Sequence, residues 1–308
     1  MMISVIIPTF NRDQILCNTL NSVLYEKGKF NGDVEVIVVD QTPNHSNEVA
    51  AYLQEKSKDG SIILIKEAMP SLPNARNQGI RISKGEIILF LDDDIILSDG
   101  FFSALINAYD NPQIDSVVGG VTLVNESGEN QLLQNQSKLK GVVRTLLLLF
   151  LGKNKAFVIS DFGFVLSNTN SRRASLVDGG RGCNMSFRKR VFDKIGLFDV
   201  NYLGNALREE TDMFYRLKRN NMHVFYSPSI HLNHIMANSG GCRNDADEKY
   251  WAVYFYNQCY FYIKNFHFTY SRIKLLLFFD YLKCKKAGLN IKKIMFDSYQ
   301  RAQKNCNK

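Results

Sequence analysis

The 308-residue chain has no closely spaced cysteine pair, no charged leader and no apolar run long enough to span a bilayer. Its six cysteines are scattered without a C-x-x-C pair, which excludes the usual spacing of a zinc site or a dense disulfide framework. We therefore expect reduced thiols in a reducing compartment. The chain opens on Met1-Met2-Ile3-Ser4-Val5, so its start is expected to be a core strand in the cytosol rather than a signal peptide.

A large excess of either charge is missing from most of the chain. From residue 264 to the end there are eleven Lys and Arg against two acids, whereas the first 263 residues carry a net charge of about −1. The basic tail contains the apolar segment 275–279 and many aromatics, a mixture that suits an anionic membrane surface better than a phosphate backbone. We therefore expect no nucleic-acid partner and a peripheral position on the cytoplasmic, inner face of the plasma membrane.

Apolar residues make up 45% of the chain, enough for a sizeable core, and they occur in short runs that alternate with helical patterns. Strands are expected at 3–8, 34–40, 61–66, 86–91 and 115–124. Helices are expected at 11–24 with Asn11 as N-cap, at 74–83, and at 98–109 with Ser98 as N-cap. This alternation predicts an α/β fold with a mostly parallel sheet flanked by helices. Ligands bind such sheets beyond the carboxyl ends of the strands.

The rest of the chain is less regular at first. The ten-residue run 142–151 is too short to span a bilayer and is expected to be a buried or surface-lying helix. Regular patterning returns with a helix expected at 208–220 and a strand at 223–226, and 245–308 is helical by pattern.

Three adjacent carboxylates, Asp92-Asp93-Asp94, follow the fourth predicted strand. Like charges this close repel unless a cation or hydrogen bonds compensate, and hard divalent cations prefer carboxylate oxygen. The aspartates therefore suit either a metal site or the capping of a turn. Pro8-Thr9 and Asp40-Gln41 also follow strands, so we expect all three segments to converge on one crevice.

Two further groups of polar residues admit two interpretations each. Glu209-Glu210 opens a predicted helix, where acids suit the helix dipole as well as catalysis. His234 lies in an apolar segment with His231, where a histidine is either a ligand or a satisfied core residue. Neither group decides the function by itself.

In their order and spacing these segments resemble the family 2 glycosyltransferases, the inverting enzymes of the GT-A fold. The matching residues are 4–12 (SVIIPTFNR), 36–40 (VIVVD), 74–79 (NARNQG), 90–94 (FLDDD), 182–188 (GCNMSFR), the pair Glu209-Glu210, and His234. The resemblance covers roughly residues 1 to 235. It implies a glycosyltransferase domain at 1–244, with a nucleotide-binding half at 1–124 and an acceptor-binding half at 125–244. The basic, aromatic-rich helical extension at 245–308 would follow.

The resemblance also implies a role for each matched residue. Asp94 and His234 would bind Mg²⁺ or Mn²⁺, which neutralises the charge growing on the departing nucleoside diphosphate. Glu210 would be the base that takes the proton of the acceptor hydroxyl, with Glu209 at the acceptor. The nucleotide-diphosphate sugar would be bound by Pro8, Thr9, Arg12, Asp40, Arg76, Asp92, Asp93 and Asn184. By analogy the acceptor is a saccharide, free or lipid-linked, in bacterial surface polysaccharide assembly.

The chain departs from the family pattern at two positions. Asp40-Gln41-Thr42-Pro43 stands where the family continues with a second acid and a Gly-Ser turn, so the nucleotide base stays open among uracil, guanine and thymine. Glu210 stands where aspartate is also common. Glutamate is one methylene longer, which keeps the proposed base but leaves the acceptor geometry open.

Two alternative functions fit parts of the pattern. Sugar nucleotidyltransferases have a related sheet and open with a Gly-rich loop, but residues 8–20 contain no glycine. A non-catalytic nucleotide-sugar-binding protein would be favoured by loss of Asp94 or Glu210, and both acids are present. Turnover of nucleotide sugars distinguishes this second alternative from an enzyme.

Overall fold

A computed structural model describes residues 1–125, 156–167, 171–235, 247–278, 280–281 and 289–307. The run 142–151 lies outside these described residues. The strands are β1 Ile3–Thr9, β2 Val34–Asp40, β3 Ile63–Lys66, β4 Ile87–Leu91, β5 Ile95–Leu97, β6 Ile114–Val124, β7 Phe157–Ile159, β8 Val165–Ser167, β9 Ser175–Val177, β10 Asn184–Arg188 and β11 His223–Ile235. The helices are α1 Asp13–Lys29, α2 Asn47–Lys58, α3 Leu72–Ile82, α4 Phe101–Ala108, α5 Arg190–Ile195, α6 Glu209–Arg219, α7 Glu248–Phe266, α8 Tyr270–Leu276 and α9 Ile291–Cys306.

Nine strands form one sheet in the order β3-β2-β1-β4-β10-β6-β11-β5, with β9 also paired to β11. Strands β1, β2, β3, β4, β6 and β11 run in one direction, whereas β5, β9 and β10 run against them. Strands β7 and β8 form a separate antiparallel pair. The predicted α/β fold with a mostly parallel sheet flanked by helices is therefore confirmed.

The sheet is buried on both faces, as its nearly continuous apolar strands require. Because successive strand residues point to opposite sides, Val5 and Ile7 join the core beneath α1, α2 and α4, whereas Ile6 joins the core beneath α3, α5 and α6. All seven residues of β1 are buried. The central strands are consequently rigid supports for the polar residues that follow them.

Both predicted helix caps in the first half are wrong. Asn11 has a φ of 53°, and its backbone N–H donates to the Thr42 hydroxyl at 2.9 Å, so it turns the chain two residues before α1 begins at Asp13. Helix α4 begins at Phe101 after Gly100, which has a φ of 74° that favours glycine. Ser98 contributes only its carbonyl oxygen, which accepts from the Phe101 N–H at 3.2 Å.

Some elements are longer or more numerous than the pattern predicts. Helix α2 escapes prediction because only Val49 and Leu53 among its twelve residues are buried. Strand β11 continues beyond the predicted 223–226 to Ile235, and its pairing with β6 shifts register between Ser227 and His231. An irregularity of this kind accommodates the intervening proline, which cannot donate to a strand ladder.

The predicted helical character of 245–308 is confirmed for its described part. Helices α7 and α9 pack together, and a third core forms from residues of these helices and of the loop before α6, including Tyr202, Ala206, Phe255, Phe261 and Met295. Within the described ranges, no helix combines the length and the apolarity needed to cross a bilayer.

Candidate active site

A cleft of about 380 Å³ opens at the carboxyl ends of β1 and β4. Its lining residues are Pro8, Thr9, Phe10, Arg12, Gln41, Pro70, Ser71, Leu72, Asp92, Asp93, Asp94, Gly204, Asn205 and His234. Seven of the twelve predicted site residues are in this set: Pro8, Thr9, Arg12, Asp92, Asp93, Asp94 and His234. Each of the three predicted strand ends contributes to the cleft, although Gln41 rather than Asp40 represents the end of β2, because the adjacent parallel strands β2, β1 and β4 end at the same edge.

Helix α1 stabilises the turn that carries the three aspartates. The Thr19 hydroxyl donates to the Asp93 carbonyl at 2.8 Å and accepts from the Ile95 N–H at 3.0 Å. Thr9 donates to the Asp93 carboxylate at 2.7 Å. Burial and the neighbouring charge of Asp94 raise the pKa of Asp93 to about 7. The middle aspartate is thus a tethered group rather than an outward-facing one.

His234 reaches the outer aspartates from strand β11. Its Nε2 lies 2.8 Å from Asp94 Oδ1 and 3.7 Å from Asp92 Oδ2, and the Ile235 N–H donates to the Asp94 carbonyl at 2.8 Å. Burial acts to lower the pKa of His234, but the neighbouring carboxylates of Asp92 and Asp94 outweigh burial and raise the pKa to about 9. For Asp92, burial acts in the opposite direction and raises the pKa. The charges of His234 and Arg76 nevertheless hold the pKa of Asp92 below its ordinary value.

These side chains fit the divalent cation that the sequence pattern implies. An imidazole lies beside two carboxylates at the edge of the cleft, with His234 Nε2 2.8 Å from Asp94 and 3.7 Å from Asp92, and such oxygen and nitrogen donors suit Mg²⁺ and Mn²⁺. The His234 Nδ1 atom is buried and has no hydrogen-bond partner among the residues that the structure describes. A bound cation would offset the repulsion between the two carboxylates, a role that the positive charge of protonated His234 otherwise fills.

Arg76 lies behind the aspartates, almost completely buried. Its guanidinium pairs with Glu209 and lies 3.6 Å from Asp92, and it donates to the Gly182 carbonyl at 3.3 Å. A β-carbon at Gly182 would lie 2.8 Å from Arg76 Nη2, so a larger residue at this position would displace the guanidinium. Arg76 therefore connects the aspartate turn to the start of helix α6.

Helix α6 presents its first two acids differently. Glu209 is 1% exposed and faces Arg76, whereas Glu210 is half-buried. Successive helix residues are separated by about 100° around the axis, so the two side chains must diverge. Burial raises the pKa of Glu210, and the positive charges of Arg76 and Arg208 only partly oppose it. A half-buried carboxylate with a raised pKa is suited to accepting a proton.

A comparison with known protein families identifies the family of this chain. Residues 4–196 match the family model described as "Glycosyl transferase family 2". The chain belongs to glycosyl transferase family 2. This span includes the aspartate turn and Arg76.

Two relatives of this family 2 glycosyltransferase are bacterial sugar transferases by name. The chain is 27% identical over 258 residues to "Poly(ribitol-phosphate) beta-N-acetylglucosaminyltransferase TarP" of Staphylococcus aureus (strain N315), which covers 82% of this chain and 72% of TarP. It is 35% identical over 106 residues to the "GalNAc(5)-diNAcBac-PP-undecaprenol beta-1,3-glucosyltransferase" of Campylobacter jejuni, which covers 33% of each protein.

Among solved structures, the glycosyltransferase resembles the mannosyltransferase PcManGT from Pyrobaculum calidifontis in complex with GDP-Man and Mn²⁺. The TM-score is 0.56 at 15% identity, over 97% of this chain and 73% of that one. At this identity the likeness shows the fold alone, and it confirms the GT-A fold.

Three predicted site residues of the glycosyltransferase do not line the cleft because other protein groups surround them. Asp40 is completely buried and accepts from Lys66 at 2.5 Å, from the Thr42 N–H at 2.9 Å, and pairs with His45 at 2.8 Å. Asn184 donates to the carbonyls of Gly120 and Ile230, both at 3.0 Å. Arg76, as described above, pairs inside the protein. Glu209 and Glu210 begin α6 just beyond the cleft-lining Gly204 and Asn205.

The sequence analysis missed several residues of the glycosyltransferase that do line the cleft. Ser71 and Leu72 begin helix α3, and the Ser71 hydroxyl accepts from the Asn74 N–H at 3.4 Å. Serine followed two residues later by proline is a recognisable helix start, so this signal was available. Gly204 and Asn205 had no such signal, because their loop is placed by distant contacts.

Those distant contacts come from helix α7. The Asn257 side chain accepts from the Leu203 N–H at 2.9 Å and donates to the Leu203 carbonyl at 2.8 Å. Arg208, whose φ of 79° is rare outside glycine, donates to Gln258 at 2.8 Å. Lys264 bridges Asp199 and Asp212 at 2.7 and 2.9 Å. The C-terminal helices thus fix the loop and the first turn of α6.

Proposed function

We propose that this chain is a metal-dependent, inverting glycosyltransferase that moves a sugar from a nucleotide-diphosphate sugar to the hydroxyl of a saccharide acceptor. The observation that supports this most directly is the position of His234 beside the carboxylates of both Asp92 and Asp94 at the ligand-binding edge of the sheet. A bound Mg²⁺ or Mn²⁺ would neutralise the charge that grows on the departing nucleoside diphosphate.

The chain's own residues would bind and orient the donor. Arg12 is 4% exposed, lines the cleft and lies 3.4 Å from Asp94, where its positive charge suits the diphosphate. Thr9 holds Asp93 in place, which keeps the outer aspartates directed to the same point. Asp92 would contact the ribose or the metal-bound waters. Pro8 and Gln41 border the same cleft, so the nucleoside would lie beside the ends of β1 and β2.

On the acceptor side, Glu210 would take the hydroxyl proton. An inverting transfer is a single displacement, so one base must stand on the face opposite the leaving group. The buried pairing of Glu209 with Arg76 supports the assignment of proton transfer to Glu210. Glu210 directly follows Glu209, and Arg76 joins Glu209 to Asp92, so the first turn of α6 is connected to the proposed metal site.

The names of the two relatives support a role in bacterial surface polymer assembly, with a free or lipid-linked saccharide as acceptor. A peripheral position on the inner face of the plasma membrane would bring the enzyme to such an acceptor. Leu275 and Phe278, which are 75% and 48% exposed, lie among the basic residues of the C-terminal extension and would contact anionic lipid.

The test is release of nucleoside diphosphate from UDP-, GDP- and dTDP-sugars, with and without Mn²⁺ and with a panel of saccharide acceptors. We expect one donor to be consumed, faster with acceptor than without it, and release to stop in excess EDTA. Binding of every donor without any release would favour a non-catalytic nucleotide-sugar-binding protein. Full activity in EDTA would contradict metal dependence.

A further inference from the structure

Cys183 places a sulfur atom beside the carboxylate and imidazole of the proposed metal site. Its Sγ, a carboxylate oxygen of Asp92 and an imidazole nitrogen of His234 all lie within 4.8 Å of one another. Among the residues that the structure describes, this is the only group of three or more His, Cys, Asp and Glu side chains with such spacing. The thiol plays no part in the mechanism above.

Backbone pairing creates this juxtaposition. Strand β10 begins at Asn184, which stands opposite Leu91 in the antiparallel pair with β4. The residue before Asn184 therefore stands opposite the residue after Leu91, so Cys183 faces Asp92. His234 arrives from the other direction, opposite Ile95 of β5. Three strands thus bring three different ligand types to one point.

Cys183 approaches that point from the protein interior. It is 6% exposed and belongs to the core beneath α1 and α4, whereas Asp92 and His234 line the cleft. With metal–sulfur and metal–nitrogen distances of about 2.3 and 2.1 Å, ligand atoms at tetrahedral positions around one ion stand about 3.6 Å apart. Side-chain movements of up to about an ångström would therefore let all three atoms contact one ion.

The geometry points to Cys183 as a further ligand of the bound metal, which gives this site a preference for softer divalent ions such as Zn²⁺ and Cd²⁺ over Mg²⁺. Thiolate sulfur favours soft ions, whereas carboxylate oxygen favours Mg²⁺. On binding, the S–H bond breaks, the proton passes to the buffer, and a metal–sulfur bond forms. This inference rests on the metal dependence of the proposed function.

The experiment is a Cd²⁺ titration of the full chain, followed by the ultraviolet thiolate-to-cadmium charge-transfer absorption and by calorimetry. Wild type is compared with Cys183→Ser and with Cys306→Ser, a matched control on helix α9. We expect Cys183→Ser to lose the saturable band and more than about tenfold in Cd²⁺ affinity, since loss of even an outer partner of a ligand costs about that much. Its Mg²⁺ affinity should fall far less, and Cys306→Ser should match wild type.

Asp92→Asn provides a second test that leaves the buried cysteine intact. If one ion touches both side chains, this variant also loses the Cd²⁺ band although Cys183 is present. A band that survives in Cys183→Ser or Asp92→Asn, or equal losses of Cd²⁺ and Mg²⁺ affinity in Cys183→Ser, would overturn the inference.

These outcomes are separable from a failure of the proposed function. If Mg²⁺ or Mn²⁺ binds and supports donor turnover but no thiolate band appears, Cys183 is not a ligand and the metal-dependent enzyme stands. If no divalent ion binds even with UDP or GDP present, the metal dependence itself fails.

Discussion

Arg76 and Glu209 form an ion pair inside the protein, with side chains only 2% and 1% exposed. The same guanidinium lies 3.6 Å from Asp92, so one cation joins the donor-side aspartates to the helix that begins with the two glutamates. Each charge depends on the other, because a buried charge without a partner is strongly unfavourable. The pair therefore constrains where Glu210 stands.

Glu209→Gln should destabilise the protein more than Glu210→Gln. Removing one member of a buried pair typically costs about 3–5 kcal/mol, and Asp92 compensates Arg76 only partly at its longer distance. The two changes are chemically identical and adjacent, so each is the control for the other. Urea unfolding gives the comparison, and equal midpoints would show that the Arg76 pairing contributes nothing to stability.

Glu210→Gln should reduce turnover by about 10²–10⁴-fold, because the amide keeps the shape of the side chain but cannot accept a proton. Donor affinity, measured by calorimetry, should hardly change. The raised pKa of Glu210 predicts that wild-type kcat/KM falls on the acid side with a midpoint above the ordinary value of 4.5. The kcat/KM of the Glu210→Gln variant should not show this decrease at low pH. If the variant keeps more than about a tenth of wild-type turnover, another acid is the catalytic base.

Asp94→Asn should abolish metal-supported activity, whereas Asp93→Asn should be much milder. Asp94 directs an oxygen to the point shared with His234, but Asp93 accepts a hydrogen bond from Thr9, which an amide oxygen also accepts. Calorimetric Mn²⁺ binding in the presence of UDP or GDP reports the difference without an activity assay. Similar Mn²⁺ affinities for the two variants would contradict the assignment of Asp94.

Asp40→Asn should reduce stability at neutral pH and have less effect in acid. Burial acts to raise the pKa of Asp40, but Lys66, His45 and the Thr42 N–H outweigh it and hold the pKa below its ordinary value of 3.8. The stabilisation is therefore complete above 3.8 and is lost as the pH falls through the lower folded-state pKa. The urea midpoints of wild type and Asp40→Asn should therefore converge as the pH is lowered through this range. The difference between wild type and the exposed control Asp33→Asn should not depend on pH in this way.

Leu275→Glu should weaken association with anionic vesicles. It replaces an exposed apolar contact with a negative charge, and basic residues near such a surface contribute about 1 kcal/mol each at low salt. Tyr25→Glu, a change at a 64% exposed position on α1, is the control. Co-sedimentation at low and high salt is the measurement. Equal binding by both variants, or no binding by wild type, would rule out this contact surface.

The sequence by itself determined the sheet and the order of its first strands, because buried parallel strands require apolar runs that differ from helical patterns. It also indicated which polar residues follow those strands. Pro8-Thr9, Asp40-Gln41 and the turn Asp92–Asp94 were therefore assigned to one cleft, and the adjacent strands bring all of these except Asp40 there. The ordered set of motifs predicted the family, which the match over residues 4–196 confirms.

Only the tertiary structure decided which of these polar side chains face the cleft. Asp40 and Asn184 follow or begin strands at the right edge, yet Lys66, His45 and backbone carbonyls from distant segments occupy their polar atoms. Cys183 looked like an isolated thiol until antiparallel pairing set it opposite Asp92. Apart from His45, which is five residues from Asp40, these partners are 26 and 64 residues away along the chain for Lys66 and Gly120, so local pattern contains no information about them. Packing of the complete fold determines which donor and acceptor meet.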